Sequence, residues 1–364
     1  MGIKQIGERG RSFEKVSRDD EEIKAILESK KTQIKVVGAG GAGNNTITRL
    51  MQVGIVGTET IAVNTDAQDL LYTDADKKIL IGKELTSGLG AGADPKIGEE
   101  AAKETKDDIK KALQGADMVF ITAGLGGGTG TGSLPVIADV AKRIGALTVA
   151  VVTLPFKMEG KHRMANAREG LKKLEGVVDT LIIIPNDKLL EIVPDVSLTT
   201  AFKICDEILV NAVKGIAELV TKPGLVNLDF ADVRTIMTQG GLAMIGMGES
   251  NTENRAVEAV EKALSNPLLS VDIGGASGAL VNVMGGPDIT IREAQQIVEA
   301  VAEKMSPDAK IIWGTQIAKD LGDTIKALLI ITGVQSPQIF GPSKTWSRGE
   351  KKDIERVLNV DFVE

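Results

Sequence analysis

The sequence predicts an α/β protein: a doubly wound parallel sheet, then one long helix, then a smaller mixed α/β domain. Three observations carry this expectation. Short apolar runs alternate with amphipathic ones as far as Pro185, three glycine-rich junctions join an apolar run to a helical one, and one helical pattern runs from Thr199 to Thr221.

Residues 1–31 mix both charge signs and form an appended arm, with Asp20 to Leu27 suited to a short helix. Gln33 to Val37 reads as a strand. Gly38-Ala39-Gly40-Gly41-Ala42-Gly43-Asn44-Asn45 then leads into a helix through Leu50, a G-x-G-x-x-G arrangement of the kind that cradles a dinucleotide. The next strand, Thr60 to Val63, ends in Asn64-Thr65-Asp66. Asp66 has two compatible readings, as a carboxylate for a ribose hydroxyl and as the N-cap of a helix over Ala67 to Leu71. Lys77 to Ile81 is a short strand that runs into a second glycine-rich loop, Thr86 to Pro95, ahead of a helix over Ile97 to Leu113.

Met118 to Ala123 is an apolar strand, and Gly124-Leu125-Gly126-Gly127-Gly128-Thr129-Gly130-Thr131-Gly132 follows it. Each glycine inside a helix or strand costs about 0.5 to 1 kcal/mol relative to alanine, so this stretch predicts a loop. A helix over Leu134 to Ile144 comes next, with Pro135 placed in its first turn. Such a junction aims unpaired backbone N–H groups and two threonine hydroxyls at one point. An anion there gains up to ~2 kcal/mol from the helix N-terminus. The loop lacks Gly-Lys-[Ser/Thr], so backbone dipoles and a magnesium ion must replace the usual phosphate-binding lysine.

Ala146 to Val152 is apolar but for Thr148, as a strand buried on both faces requires. Beyond it, Glu159 suits ribose hydroxyls and Arg163 a phosphate, while a salt bridge in a surface loop is the plain alternative. His162, between Lys161 and Arg163, reads as solvated. The strand Thr180 to Pro185 leads to Asn186 and Asp187. The helix from Thr199 to Thr221 has a length of roughly 34 Å at 1.5 Å per residue, enough to cross a domain. Phe202 and Asp206 stand one turn apart on it, placed to stack on a base and to accept from a guanine N–H edge; packing and a solvated acid would also explain them. Pro223-Gly224 ends the helix. In Asn227-Leu228-Asp229-Phe230-Ala231-Asp232 the two carboxylates share a face if a helix starts there, and N-capping accounts for Asp229 better than for Asp232.

The remainder predicts strands over Ala243 to Gly248, Ala279 to Met284, Ala309 to Thr315 and Ala327 to Thr332. Helices fall over Glu253 to Leu264 and Ile291 to Met305, with Trp313 and the methionines as core. Ser336 to Lys352 reads as a linker. Ile354 to Glu364 is amphipathic, fit either to dock on a partner or to fray.

With 364 residues the chain is long enough for about two domains. Its 43 basic and 50 acidic residues give a net charge of −7, which argues against nonspecific nucleic-acid binding. A single cysteine, Cys205, excludes an intramolecular disulfide and a cysteine-based metal site, and a single histidine removes most Ser-His-Asp and zinc chemistry. No apolar run approaches the length of a membrane span and no signal-peptide pattern is seen, so the expected compartment is the cytoplasm with no direct membrane insertion.

The ordered set of motifs resembles the tubulin and FtsZ family of GTPases over Gln33 to Gln335. It comprises Gly38 to Asn45, Asn64 to Gln68, Gly88 to Pro95, Gly126 to Gly132, Glu159 to Arg163, Asn186, Phe202, Asp206 and Asn227-x-Asp229-x-x-Asp232. The resemblance implies a Rossmann-like GTPase domain over residues 32–198, a central helix over 199–222, a C-terminal α/β domain over 223–335 and a tail over 336–364.

It further implies that GTP or GDP with Mg2+ is held by Gly41, Ala42, Gly43, Asn44 and Asn45 and by Gly130, Thr131 and Gly132. Asp66, Ala91 and Gly92 join these contacts, Glu159 and Arg163 meet ribose and phosphate, and Asn186, Phe202 and Asp206 read guanine. Asn227, Asp229 and Asp232 would act on the nucleotide of the next subunit in a head-to-tail filament, so that hydrolysis follows assembly at the mid-cell division site. The tail departs from the usual bacterial adaptor-binding peptide, leaving a division or membrane adaptor unidentified. Two rivals remain at this point: a nicotinamide-dependent oxidoreductase, resting on Gly38 to Gly43 alone, and a nonhydrolysing structural relative.

Overall fold

The structure is a computed structural model that describes residues 32–192, 197–221, 226, 229–238, 240–269 and 273–334. The arm expected over residues 1–31, the turn at Pro223-Gly224, Asn227 and the tail from residue 336 lie outside the described residues.

Apolar strands come first in the construction of the fold. β1 (Ile34–Ala39), β2 (Thr58–Asn64), β3 (Lys77–Leu80), β4 (Met118–Gly124), β5 (Leu147–Leu154) and β6 (Thr180–Pro185) lie parallel in the order β3-β2-β1-β4-β5-β6. The chain winds outward in both directions from β1, so the switch point falls between β1 and β4, where ligands gather beyond the carboxyl ends of the strands. Eight helices accompany this half: α1 (Gly40–Val53), α2 (Ala67–Tyr72), α3 (Lys83–Thr86), α4 (Pro95–Glu104), α5 (Lys106–Leu113), α6 (Thr129–Arg143), α7 (Lys161–Glu175) and α8 (Asn186–Ile192).

The sheet does not stop at β6. β7 (Gly241–Ser250) continues it in parallel, pairing Thr180 with Gly241 and Ile182 with Ala243. β10 (Ile325–Thr332) runs antiparallel to both β7 and β8 (Gly278–Gly285), and β9 (Lys310–Ile317) closes the edge parallel to β8. The central helix α9 (Leu198–Thr221) lies on one face, where its Leu209, Val213 and Ile216 share an apolar cluster with Phe120 and Val151 of the first strands and with Leu280 and Ile330 of the last. One helix thereby packs on both halves of one sheet. The remaining helices are α10 (Phe230–Met237), α11 (Arg255–Leu264) and α12 (Ile291–Ala302).

Several expectations need correction. The glycine-rich stretch is a loop only as far as Gly128, since α6 already begins at Thr129. The glycines serve close approach: a β-carbon on Gly132 would overlap the Pro95 carbonyl oxygen and the Glu99 nitrogen of α4. Pro135 therefore sits inside the helix, where its ring withholds the N–H that would otherwise reach the Thr131 carbonyl. Likewise α1 starts at Gly40, in the left-handed region at φ +69°, and not after Asn45.

The helix expected over Ile97 to Leu113 is two helices that break at Thr105, whose hydroxyl accepts the Gly82 N–H. The sequence reading did not single out α7, because only Ala167, Gly170, Leu171 and Leu174 are buried on an otherwise charged helix. Trp313 is only half-buried, on the edge strand β9, while Met118, Met237 and Met244 are core.

Candidate active site

A cavity of about 280 Å3 opens at the carboxyl edge of the parallel sheet, at the switch point. Its floor is backbone: Gly40, Gly41 and Ala42 at the start of α1, and Gly127, Gly128 and Gly130 at the start of α6. Neither helix has a side-chain cap, in contrast to α2, capped by Asp66, and α4, capped by Asp94. The first N–H groups of α1 and α6 have no intrahelical partner, so two positive helix ends face one space with donors to spare.

The walls carry chemistry of a different kind. Glu159 accepts the Phe156 N–H through Oε1 at 2.9 Å and pairs through Oε2 with the Arg163 guanidinium at 2.6 Å. Both the expected salt bridge and the expected place at the cavity are thus present. Arg163 is the one cation on this wall among the described residues. On the opposite side Asn186 opens α8, and Phe202 and Asp206 project from α9. Phe202 meets Phe156 edge-on, with ring centroids 5.3 Å apart at 80°, and stays 40% exposed, which leaves a ring face for a planar guest. Burial pushes the Asp206 carboxyl up to about 6. Cys205 also lines the cavity, a place that its position beside Asp206 on the helix did not reveal; burial first, then the neighbouring Asp206, pushes its thiol up to about 12 and keeps it from acting as a nucleophile.

Other expected contacts do not line this cavity. Gly43 packs beneath the Thr122 carbonyl, Asn44 donates its amide to Asp69 at 3.2 Å, and Asn45 lies on the exposed face of α1. The Asp66 carboxylate is occupied as a cap, accepting the N–H groups of Gln68 and Asp69. Ala91 is buried against Gly128, while Gly92 is exposed on the loop beyond it. The Thr131 hydroxyl accepts the Gly126 N–H at 2.8 Å, closing the loop, and Thr131 does not line the cavity, while Gly132 is held against α4. Of the two threonines, Thr129 alone reaches the wall.

The acidic pair stands at the opposite edge. α10 is anchored where the parallel strands begin: the Thr180 hydroxyl, at the start of β6, donates to the Met237 carbonyl at 2.6 Å, and the Arg234 guanidinium donates to the Asp117 carbonyl just before β4 at 3.4 Å. A seven-residue strand such as β4 spans about 23 Å, so Asp229 and Asp232 cannot reach the cavity of their own chain. Asp229 caps α10, and Asp232 is exposed, its carboxylate without a hydrogen-bond or ionic partner among the described residues. No group of three or more His, Cys, Asp or Glu side chains that could hold a metal ion occurs among the described residues.

Comparison with known proteins identifies the relatives of this fold. Residues 33–194 match the model of the Tubulin/FtsZ family GTPase domain, and residues 241–335 match that of the FtsZ family C-terminal domain. Cell division protein FtsZ 1 of Methanocaldococcus jannaschii is 60% identical over 339 residues, covering 92% of this chain and 93% of that protein. A solved structure described as an empty FtsZ dimer from M. jannaschii superposes with a TM-score of 0.86 at 59% identity, covering 92% of this chain and 98% of that one. CetZ1 from Haloferax volcanii, solved as a GDP-bound monomer, shares the fold with a TM-score of 0.75 at 23% identity, over 90% of this chain and 100% of that one.

Proposed function

The chain belongs to the tubulin/FtsZ family, and from that premise we propose how its cavity and its remote acidic pair divide one GTPase centre between two copies. It is a cell-division GTPase of a family that forms filaments, and its fold is that of a self-associating protein. Family membership removes the nicotinamide reading, which rested on Gly38 to Gly43 alone.

In the proposed reading the phosphates of GTP lie against the backbone of Gly40 to Ala42 and Gly127 to Gly130, between the two uncapped helix ends. Gly43, Asn44, Asn45, Asp66, Ala91, Gly92, Thr131 and Gly132 hold the loops that shape this floor. Glu159 and Arg163 meet the ribose and a phosphate. Phe202 stacks on the base, and Asn186 with Asp206 reads its polar edge; an ionised Asp206 accepts from the guanine N–H groups, which adenine cannot offer in the same pattern. The base thereby stabilises a charge that burial disfavours.

Mg2+ enters as part of the substrate. Among the described residues the cavity wall offers one cation, already paired with Glu159, and no carboxylate cluster fit to hold a metal by itself, whereas Mg2+ in phosphate sites is held largely by phosphate oxygens and water. It supplies charge neutralisation to the bound nucleotide.

The observation that carries the reading is the placement of the cavity and the acidic pair at opposite edges of one sheet. A copy stacked head to tail brings the Asp229 and Asp232 of one subunit over the phosphates of the next, together with Asn227. There the carboxylates orient a water for attack on the terminal phosphorus and take up its proton as GDP leaves. A heterologous contact that does not close gives a filament. Division work puts such filaments at the septum, and residues 336–364 are proposed to reach an adaptor there. No described helix is long and apolar enough to cross a membrane.

The test is GTP turnover against protein concentration, with NAD as a binding control. Specific activity that rises steeply through the assembly range supports the reading. Flat specific activity, or a preference for NAD, would refute it.

A further inference from the structure

Thr65 ties together three segments that the proposed reaction uses. It is fully buried at the end of β2, and its hydroxyl meets the Thr129 hydroxyl at 2.6 Å. Its carbonyl accepts the Gly90 N–H at 3.2 Å and the Thr86 hydroxyl at 3.3 Å, both from the second glycine-rich loop. Its own N–H donates to Asn64 Oδ1 at 2.9 Å. Thr129 is the first residue of α6 and lines the cavity, whereas the loop carrying Gly90 does not.

We propose that Thr65 is a positioning residue that holds the Thr129 hydroxyl toward the nucleotide phosphates. The inference rests on the cavity being the nucleotide site. Two hydroxyls in contact have two arrangements, and only one of them can donate. When Thr65 donates to Thr129, the Thr129 proton is free to donate onward; when Thr129 donates to Thr65, it turns lone pairs on the cavity. An anion in the cavity selects the first arrangement, and each bond then polarises the other. The same residue anchors the second glycine-rich loop through its carbonyl, and that loop packs against the floor at Gly128 through Ala91 and Asp94.

Thr65→Val separates these links, because it keeps the β-branched shape and the carbonyl bonds to Gly90 and Thr86 while deleting the bond to Thr129. Equilibrium GTP binding should weaken by about three- to tenfold, the value of one net hydrogen bond. Thr65→Ser should restore it, and Thr65→Val should add nothing in a Thr129→Val background. Wild-type affinity in Thr65→Val, or losses that multiply in the double variant, would overturn the proposal.

Thr129→Val, at a half-buried position, gives a second route should Thr65→Val not fold. Its GTP affinity should fall by at least the three- to tenfold expected of Thr65→Val, because it deletes the hydroxyl that Thr65 positions, and wild-type affinity in this variant would overturn the proposal. A wild-type chain that fails to bind GTP would instead refute the functional reading itself.

Discussion

The carboxylate of Asp229 accepts the backbone N–H of Asp232 at 2.8 Å, so the first acid of the pair caps the helix that presents the second. The Asp232 side chain is exposed and, among the described residues, unpartnered. An exposed carboxylate held at a fixed place without a partner contributes little to folding. The two acids should therefore respond differently to substitution.

Asp232→Asn should leave thermal stability within experimental scatter and lower GTP turnover by about 10² to 10⁴-fold, as expected for removal of a water-activating base. Asp229→Ala should also lose the cap, at about 1 kcal/mol of stability, whereas Asp229→Asn should keep the cap and lose only turnover. Melting curves beside turnover rates separate these outcomes. Equal turnover in Asp232→Asn and wild type would reduce the acids to caps.

Glycines in the same loop should divide in a similar way. Gly132→Ala drives a methyl into the backbone of α4, with an expected loss of about 1 to 3 kcal/mol and disordering of the nucleotide floor. Gly127 has nothing within 4 Å of where a β-carbon would stand, yet it lines the cavity. Gly127→Ala should melt like wild type and bind GTP more weakly. Denaturation and binding measured together check both.

The Asp206 carboxyl, raised by burial from 3.8 to about 6 in the empty site, makes a prediction about pH. The folded chain holds this proton more tightly than the unfolded chain, so the contribution to stability is fully present below pH 3.8 and is lost as pH rises through about 6. Asp206→Asn should thus stabilise the empty protein at neutral pH by about 1 to 2 kcal/mol, allowing for partial exposure, and the gain should vanish in acid. Guanine binding should run the other way. It needs the ionised acceptor, so wild-type affinity should fall as pH drops below about 6, and Asp206→Asn should bind weakly throughout. Calorimetric titration across this range tests the sign.

Much of this architecture was legible in the residues. Thr180 to Pro185 is a strand at its expected limits, and the central helix begins one residue before its expected start, because continuous apolar runs and a 3.6-residue period are local properties. A strand end pointed to Glu159 and Arg163 and helix spacing to Phe202 and Asp206, whereas Asn186 was named by the family resemblance alone; all five line the cavity. What escaped depends on contacts distant in sequence. The start of α6 at Thr129 reflects packing of Gly132 on α4, and the break at Thr105 reflects a bond from Gly82. Thr131 reads like Thr129 in a list of residues, yet one closes a loop and the other faces the cavity. Thr65 lies within the Asn64 to Gln68 motif, yet its role was not legible, since a threonine after a strand is unremarkable until its partners are known.

The division of one catalytic centre between two copies is tested most directly by mixing two inactive variants. Asp232→Asn keeps its cavity and lacks the acid; Asp206→Asn keeps the acids and lacks guanine recognition. With co-sedimentation showing both in the same filaments, the mixture should hydrolyse GTP well above either variant alone, because acids of one copy meet GTP on the other. A mixture as inactive as its components would contradict the account.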